Sequence, residues 1–247
     1  MTVVTVEARC PICGEKKAFS SSDDYWSCRD EQHASECRFQ TCIPRHRALA
    51  EALFSLHPRE KFTDLRIHES SPSPVGISLW LRQNCRGYVM SGYFPNVPFG
   101  ALVRGLRNED LEHQTFGDST FDFVIHLDVM EHLFDPFKAL REIERTLCPG
   151  GRCLFTAPTY PERVRSEQVA FQEADGLRIV GKPEYHGNPQ NASGSIVTWR
   201  YGYDLPYLIA KKTGFDVEVR RWYSRANAIM GPMTEVYILT KPVSEGA

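Results

Sequence analysis

The sequence predicts an α/β protein with a doubly wound, mostly parallel sheet, an antiparallel edge strand and a small zinc-ribbon-like module at the N-terminus. Three observations predict this fold. Apolar β-rich runs alternate with helical patterns after residue 60, and two strand-like runs follow one another near the C-terminus. Five of the eight cysteines lie in the first fifth of the chain. The 247 residues suffice for one large domain with an appendage.

The N-terminal module contains the sequence CPICG, which places Cys10 and Cys13 on a tight turn where Gly14 can take a positive φ angle. Clustered cysteines without a secretion signal indicate metal binding rather than disulfides. The predicted ligands of a structural zinc ion are Cys10, Cys13, Cys37 and Cys42. Cys28 and His33 remain alternatives within the second pair, and free buried thiols are the alternative to a metal. Four thiolates would close the site and stabilise a module that has few large apolar side chains.

The run IPRHRALAEALFSL predicts a helix between the module and the main domain. We expect residues 1–47 to form the module, residues 48–60 the linking helix and residues 61–247 the main domain. Arg45 and Arg47 lie near the start of this helix, where the helix dipole does not favour cations. They either pair with acidic groups across the domain junction or remain solvated.

The main domain contains a clear strand–helix–strand unit. The apolar run FDFVIHL is typical of a strand buried on both faces. In DPFKALREIERTL, Asp135 is a good N-cap, Pro136 suits the first helical position, and the apolar residues recur at helical spacing. CPGG ends that helix, and RCLFTAP is the next strand. The spacing predicts a right-handed βαβ unit of a parallel sheet.

The flanking elements follow the same alternation. Before this unit, KFTDLRIHES predicts a strand, VGISLWLRQNC its helix and RGYVMSGYF the next strand. After it, GYDLPYLIAKKTG predicts a helix, and FDVEVRRWYS and TEVYILTKP predict two consecutive strands. Because no helix separates these last two, we expect them to pair in an antiparallel fashion at one sheet edge.

The stretch GDSTFDFVIHLDVMEH, followed by a helix that begins with Asp-Pro, by LCPGG and by FTAP, resembles the class I S-adenosylmethionine-dependent methyltransferases. Such proteins often read D-V-x-E-H and then R-x-L-x-P-G-G. The resemblance covers residues 61–242 and implies a Rossmann-like sheet, S-adenosylmethionine as cofactor and methyl transfer as activity. A narrower resemblance links the C-x-x-C module, the R-x-R-A-L helix and YHGNP to methyltransferase-like bacterial proteins.

In that family the first strand ends in an acidic residue and runs into G-x-G-x-G. Here Glu69 holds the acidic position, but serines and prolines replace the glycines up to Gly76. The family's ribose-binding carboxylate is also missing, since Ser91 and Gly92 end the next strand. The cofactor contacts that the resemblance implies are Glu69, Ser70, Gly76, Ser91, Asp110, Leu111 and His126. The alternative for Asp110, which matches the adenine-edge position, is a simple turn residue.

Candidate catalytic residues are His126 and Asp128, at the carboxyl end of the strand predicted from FDFVIHL, and His186. Glu131 and His132 follow that strand and either take part or only orient the loop and cap the next helix. Residues 159–200 form an insertion far longer than an ordinary connection, which is typical of a lid or binding element. Within it, His186 is the predicted general base for the acceptor, and bracing of a turn is the alternative.

Charge and hydropathy limit the partners. The net charge is -2, and residues 1–50 hold seven basic and seven acidic side chains, which argues against nucleic acid. No apolar run is long enough to span a membrane, and we expect a cytoplasmic location. The predicted acceptor is a small polar or sugar-containing molecule. The alternatives are a non-catalytic methyltransferase-like protein and a macromolecule methyltransferase that docks through its zinc module; the oligomeric state is not predicted.

Overall fold

The computed structural model describes residues 4–21, 33–34, 37–39, 42–188 and 191–243. The N-terminal module is an antiparallel sheet whose strands are Val4–Arg9 (β1), Lys16–Ser21 (β2) and His33–Ala34 (β3), in the order β1-β2-β3. The helix Pro44–Leu56 (α1) follows and is close to the predicted linking helix. A 3₁₀ segment, Arg59–Asp64, leads from α1 into the main domain.

The first half of the main domain contains the predicted strand–helix alternation. Its strands are Arg66–Ser70 (β4), Gly87–Gly92 (β5), Leu102–Val103 (β6), Leu106–Asn108 (β7), Phe121–Leu127 (β8) and Leu147–Thr156 (β9). Its helices are Gly76–Asn84 (α2) and Pro136–Thr146 (α3). The Asp135 side chain accepts a hydrogen bond from the Lys138 N–H at 2.9 Å, which confirms it as the N-cap of α3.

The insertion after β9 forms short antiparallel strand pairs rather than an irregular loop. Its strands are Glu167–Gln168 (β10), Ala170–Glu173 (β11), Gly176–Ile179 (β12), Tyr185–Asn188 (β13), Asn191–Ile196 (β14) and Trp199–Arg200 (β15). β10 pairs with β15, β11 with β12, and β13 with β14. The insertion therefore consists of three two-stranded antiparallel sheets.

The chain ends with the helix Leu205–Lys212 (α4) and the strands Asp216–Arg220 (β16) and Val236–Thr240 (β17). The large sheet has the order β16-β17-β9-β8-β4-β5-β7-β6. β4 pairs in parallel with β5 and β8, and β8 pairs in parallel with β9. β17 is antiparallel to both of its neighbours, with β16 outside it, and β6 is antiparallel to β7 at the other edge. The predicted fold class is confirmed.

The module and the main domain share one cluster of buried apolar side chains. Phe19 and Phe39 of the module, Leu49 of α1, and Ile67 and Ile238 of the large sheet all belong to it. A second cluster lies on the other face of the sheet, against α3 and α4. The module is thus packed onto the sheet domain as part of its core. None of the helices in the described part of the chain is long and apolar enough to cross a membrane.

Candidate functional site

The turn after β4 keeps a strained backbone without the glycines that usually permit one. Ser71 has a φ angle of 53°, in the left-handed region, and its N–H donates to the Ser91 carbonyl at 2.8 Å. Glu69, just before it, is fully buried and accepts hydrogen bonds from the Ser78 and Tyr88 hydroxyl groups. Burial raises the pKa of the Glu69 carboxyl to about 7, although these hydrogen bonds act in the opposite direction. Glu69 therefore ties β4 to α2 and β5.

Gly76 faces the N-terminal part of the chain. Its N–H donates to the Phe39 carbonyl at 2.9 Å, and a Cβ atom there would lie 2.1 Å from His46 Nδ1. Its φ angle of 67° also favours glycine. The sequence analysis predicted that the start of α2 contacts the cofactor. In the structure, however, the Gly76 N–H group donates its hydrogen bond to the module. We therefore leave Gly76 out of the proposed cofactor contacts.

Two other predicted contact residues point into the core. The Ser91 hydroxyl is 1% exposed and lies 2.8 Å from His68 Nε2. His126 is fully buried and stacks on Phe155 with ring centroids 4.8 Å apart, and burial lowers its pKa to about 3. A neutral, enclosed imidazole has no route to an acceptor. We therefore assign neither proton transfer nor cofactor contact to His126, and no ribose contact to the Ser91 side chain.

The adenine-edge candidates lie closer to the surface. Asp110 accepts a hydrogen bond from the Glu112 N–H at 2.8 Å, which is the Asx-turn that its alternative interpretation predicted. Leu111 beside it is 5% exposed. Tyr93, directly after β5, is 57% exposed, and burial together with the charges of Asp110 and Glu112 raises the pKa of its hydroxyl. Tyr93 and Asp110 thus border one surface. Tyr93 was not among the residues predicted from the sequence, where its position as an aromatic residue directly after a strand could have indicated it.

Asp128 joins α1 to the end of β8. It has a φ angle of 52°, accepts a hydrogen bond from Thr156 Oγ1 at 3.0 Å, and forms an ion pair with Arg45. This ion pair is the contact across the domain junction that the sequence offered as one reading of Arg45. A non-glycine residue in the left-handed region at a strand end is typical of a functional site. The catalytic role of Asp128 stays a prediction.

The insertion is attached to the turn that follows β8. The Thr198 N–H donates to the Glu131 carbonyl at 2.7 Å, and the Tyr201 hydroxyl donates to the Met130 carbonyl at 2.8 Å. His132 Nδ1 lies 2.7 Å from the Ile196 carbonyl oxygen. These contacts hold the insertion at the carboxyl end of β8, where open α/β sheets bind ligands.

His186 lies on β13 and is brought to Glu131 and His132 by this attachment. His186 Nδ1 is 3.5 Å from Glu131 Oε1, its Nε2 is 3.3 Å from Glu184 Oε1, and its ring centroid is 5.2 Å from that of His132. The adjacent Glu131 carboxylate raises the pKa of His186, and Glu184 adds to the effect. Glu184, which also pairs with Arg200, was not singled out in the sequence. The structure thus joins residues that the sequence placed in separate segments.

The four cysteines predicted as zinc ligands come together on the module. Cys10, Cys13 and Cys37 each place Sγ within 4.8 Å of the other two, and Cys10 Sγ lies 4.0 Å from Cys42 Sγ. Two sulfurs of a tetrahedral zinc site are about 3.8 Å apart, given Zn–S bonds of about 2.3 Å. Gly14 has the predicted positive φ angle, 78°. Cys28 and the side chain of His33 lie outside the described residues.

A buried cation lies beside this thiol cluster. The Arg47 side chain is fully buried, with Nη1 3.5 Å from Cys42 Sγ and Nε donating to the Ala228 carbonyl at 2.9 Å. A guanidinium stays charged even when buried, and it favours a thiolate over a thiol at such a distance. The donor set, its spacing and this cation fit a metal bound by four thiolates.

Comparison with known proteins identifies the domain. Residues 95–155 match the family described as a methyltransferase domain, and this segment runs through β8, α3 and nearly all of β9. Over these residues the chain is similar to methyltransferase domains, in line with its resemblance to the class I S-adenosylmethionine-dependent methyltransferases. The chain is 31% identical over 121 residues to an uncharacterized methyltransferase of Schizosaccharomyces pombe. The aligned region covers 44% of this chain and 41% of that protein. The chain thus spans less than half of the length of this curated relative.

Solved structures of methyltransferases share the fold of this chain. An S-adenosylmethionine-dependent methyltransferase from Mesorhizobium loti superposes with a TM-score of 0.51 at 16% identity, covering 78% of this chain and 97% of that one. A chain from the complex between the Haloferax volcanii Trm112 methyltransferase activator and a putative methyltransferase gives 0.50 at 17% identity, with 82% and 92% covered. At these identities the likeness shows the fold alone.

The residues present fit S-adenosylmethionine more clearly at the predicted adenine position than at the positions of Glu69 and Ser91. Tyr93 is exposed and Asp110 partly exposed at the position where the resemblance predicts the adenine, and Ser71 keeps a strained turn where the family has glycines. The side chains of Glu69 and Ser91 are engaged inside the protein. Those two side chains are therefore not available for the cofactor contacts that the resemblance implies.

Proposed function

We propose that this protein transfers the methyl group of S-adenosylmethionine to an oxygen atom of a small polar or sugar-containing acceptor. The observation that carries the proposal is the coincidence of two features. The family match over residues 95–155 includes Glu131 and His132, and the insertion brings His186 to those two side chains. A methyltransferase domain thus carries a polar cluster at the sheet edge that binds ligands.

On the cofactor side, S-adenosylmethionine supplies an electrophilic methyl group on a sulfonium. We assign its adenine end to Tyr93, Asp110 and the backbone of Leu111, because this surface combines an exposed ring with a partly exposed carboxylate. The turn at Ser71 approaches with its backbone. Asp128, held by Arg45 and Thr156, fixes the end of β8 between the cofactor side and the acceptor side.

On the acceptor side, we assign the cluster of Glu131, His132, His186 and Glu184. A polar acceptor fits here because these side chains offer both hydrogen-bond donors and acceptors. In the reaction the acceptor oxygen forms a bond to the methyl carbon as the carbon–sulfur bond breaks, S-adenosylhomocysteine leaves, and the acceptor proton passes to this cluster. The balanced net charge of the chain supports a small acceptor over nucleic acid.

We also propose that Cys10, Cys13, Cys37 and Cys42 hold one structural zinc ion. A closed set of four sulfur ligands leaves no open position for chemistry. The metal would stabilise the module, whose inner side chains lie in the same core as the large sheet. Through the contacts of Phe39 and His46 with Gly76, it would also support the turn after β4.

A transfer assay with S-adenosylmethionine labelled in the methyl group tests the proposed activity. The full zinc-loaded chain is incubated with a panel of hydroxyl-bearing metabolites, including sugars and nucleoside sugars, and label in the acceptor is measured. We expect transfer to at least one member and a loss of transfer in the His186→Ala variant. The matched control is His57→Ala, at the far end of α1. Binding of the cofactor with no transfer to small molecules or to whole-cell protein and RNA would favour the non-catalytic alternative.

A further inference from the structure

Among the described residues, the buried carboxylate of Glu131 lacks the hydrogen bonds that usually stabilise such a group. Its side chain is 1% exposed, and neither of its oxygens accepts a hydrogen bond from a described residue. Burying a carboxylate without such partners is energetically costly, so a group of this kind usually has a function or a ligand.

The two histidines present specific nitrogens to this carboxylate. His132 Nδ1 lies 2.7 Å from the Ile196 carbonyl, which can only accept, so Nδ1 carries the proton and Nε2 holds a lone pair in the neutral ring. That Nε2 is 3.8 Å from Glu131 Oε1. His186 repeats the arrangement: its Nε2 faces Glu184 Oε1 at 3.3 Å, and its Nδ1 faces Glu131 Oε1 at 3.5 Å.

Each ring therefore has its outer nitrogen next to an oxygen acceptor and its inner nitrogen next to the Glu131 carboxylate. Histidines that bind metals characteristically donate their other ring N–H to a backbone carbonyl or a carboxylate, which fixes the tautomer and the ring orientation. One ligand atom from each of Glu131, His132 and His186 lies within 4.8 Å of the other two. Donors bound to one ion at about 2.1 Å are about 3.0–3.5 Å apart, so small adjustments would close the set.

We propose that Glu131, His132 and His186 bind a divalent first-row transition-metal ion, with Glu184 and the Ile196 carbonyl as the outer groups that orient the two rings. Two imidazoles and one carboxylate suit such ions and leave coordination positions open. The site differs from the thiol cluster in its donors, which are nitrogen and oxygen rather than sulfur. It also lies on different elements, the turn after β8 and the insertion.

The use of this ion rests on the proposed function, whereas its binding does not. An ion at this place would hold the acceptor oxygen in an open position and lower the pKa of the bound hydroxyl group. His186 would then be a ligand rather than the general base that the sequence suggested. The insertion would serve both to bind the ion and to cover the acceptor, since it supplies His186 and both outer groups.

The experiment is a Mn²⁺ titration of the full, zinc-loaded chain, followed by electron paramagnetic resonance of free Mn²⁺. Mn²⁺ prefers nitrogen and oxygen donors, so the zinc-filled thiol cluster does not compete for it. We expect about one bound equivalent, displaced by added Zn²⁺ or Co²⁺, and at least about tenfold weaker binding in Glu131→Gln and in His186→Ala. The matched control, His113→Ala, removes a histidine that is 62% exposed and should bind as the unmodified protein does.

Thermal unfolding of each variant verifies that weaker binding is not loss of fold. If Glu131→Gln unfolds, the Mn²⁺ affinity of His186→Ala is compared with that of the control instead, because His186 is only half-buried and its replacement disturbs the fold less. No uptake of Mn²⁺, Co²⁺ or Zn²⁺ beyond the thiol cluster would overturn the proposal and leave an ion pair between His186 and Glu131. Equal affinities in Glu131→Gln and His113→Ala would also overturn it. A protein that transfers methyl groups but binds no second metal keeps the proposed function and loses this inference.

Discussion

Two buried carboxylates at the carboxyl edge of the sheet have different surroundings. Glu69 accepts hydrogen bonds from Ser78 and Tyr88, whereas Glu131 faces the inner nitrogens of His132 and His186. The first arrangement stabilises a turn, and the second groups the potential ligands of the proposed metal ion. The same residue type thus serves structure and proposed chemistry within one sheet edge.

The Glu69 carboxyl should make stability depend on pH. Its folded-state pKa of about 7 lies above the usual value of 4.5, because burial disfavours the charge. The folded state therefore holds this proton more tightly, so its stabilising effect is complete below about pH 4.5 and is lost as the pH rises through about 7. We expect the free energy of unfolding, measured with urea, to fall less between about pH 5 and pH 8 in Glu69→Gln than in the unmodified protein. The exposed control, Glu60→Gln, should keep the original slope, and an unchanged slope in Glu69→Gln would contradict the assignment.

Gly76 should be intolerant of a side chain because of the module. A Cβ atom would lie 2.1 Å from His46 Nδ1, and the φ angle is +67°. We expect Gly76→Ala to lower the free energy of unfolding by about 1–3 kcal/mol, and by less in a His46→Ala background, where only the backbone strain remains. Gly105→Ala is the matched control, since its φ angle is +83° and no atom lies within 4 Å of the added Cβ. Equal costs at the two glycines would mean that the His46 contact does not form.

Local chemistry made several of these residues predictable. Asp135 as an N-cap, Gly14 at a positive φ angle and the four clustered cysteines follow from rules that act over a few residues. The environment of Gly76 did not, because its partners Phe39 and His46 lie more than 29 residues earlier in the chain. Likewise, nothing in the sequence around Ser91 shows that its hydroxyl group meets His68.

At the scale of elements, most strands and helices of the large sheet were predictable, whereas its short strands β6 and β7 and the strands of the insertion were not. The helix α3 carries an apolar stripe at helical spacing, and β8 is a continuous apolar run. The strands of the insertion are two to six residues long and mostly polar, so they show no periodicity. Their pairing depends on attachments such as that of Thr198 to the turn after β8.

The insertion should govern transfer without governing cofactor affinity. His186 lies on β13, next to Glu131 and Glu184, and away from the proposed adenine surface at Tyr93 and Asp110. We expect His186→Ala to reduce turnover at saturating acceptor by about 10²–10⁴-fold, whether it acts as base or as ligand, with cofactor affinity nearly unchanged. Turnover and calorimetric affinity are measured on the same preparation. Unchanged turnover at saturation would remove His186 from the chemistry.

At the scale of the whole molecule, the module and the sheet domain share a core. Module side chains such as Phe19 pack in the same buried cluster as Ile67 and Ile238 of the large sheet. The sequence analysis placed the boundary of the module at residue 47 because the composition and the cysteine content change there. It gave no sign of the continuous packing, which depends on contacts between distant segments.

Loss of the proposed zinc should therefore destabilise the whole chain. We expect protein purified without added metal to contain about one zinc per chain by elemental analysis, and Cys37→Ser to lose it. Because the core is shared, the single thermal transition should fall by several degrees in Cys37→Ser and after chelation. Cys148→Ser, which changes a cysteine outside the cluster, is the control. Metal-free protein whose four thiols are reduced and freely titratable would refute the zinc site.

The claim that the sheet edge binds S-adenosylmethionine is tested by isothermal titration calorimetry on the full zinc-loaded chain. We expect binding of about one equivalent, weakened at least about tenfold in Asp110→Ala and much less in Glu112→Ala, since only Asp110 is assigned to the adenine edge. Thermal unfolding verifies that each variant is folded. Absence of measurable binding by the folded, zinc-loaded protein would contradict the claim, and equal affinities in the two variants would show that the adenine does not bind at Asp110.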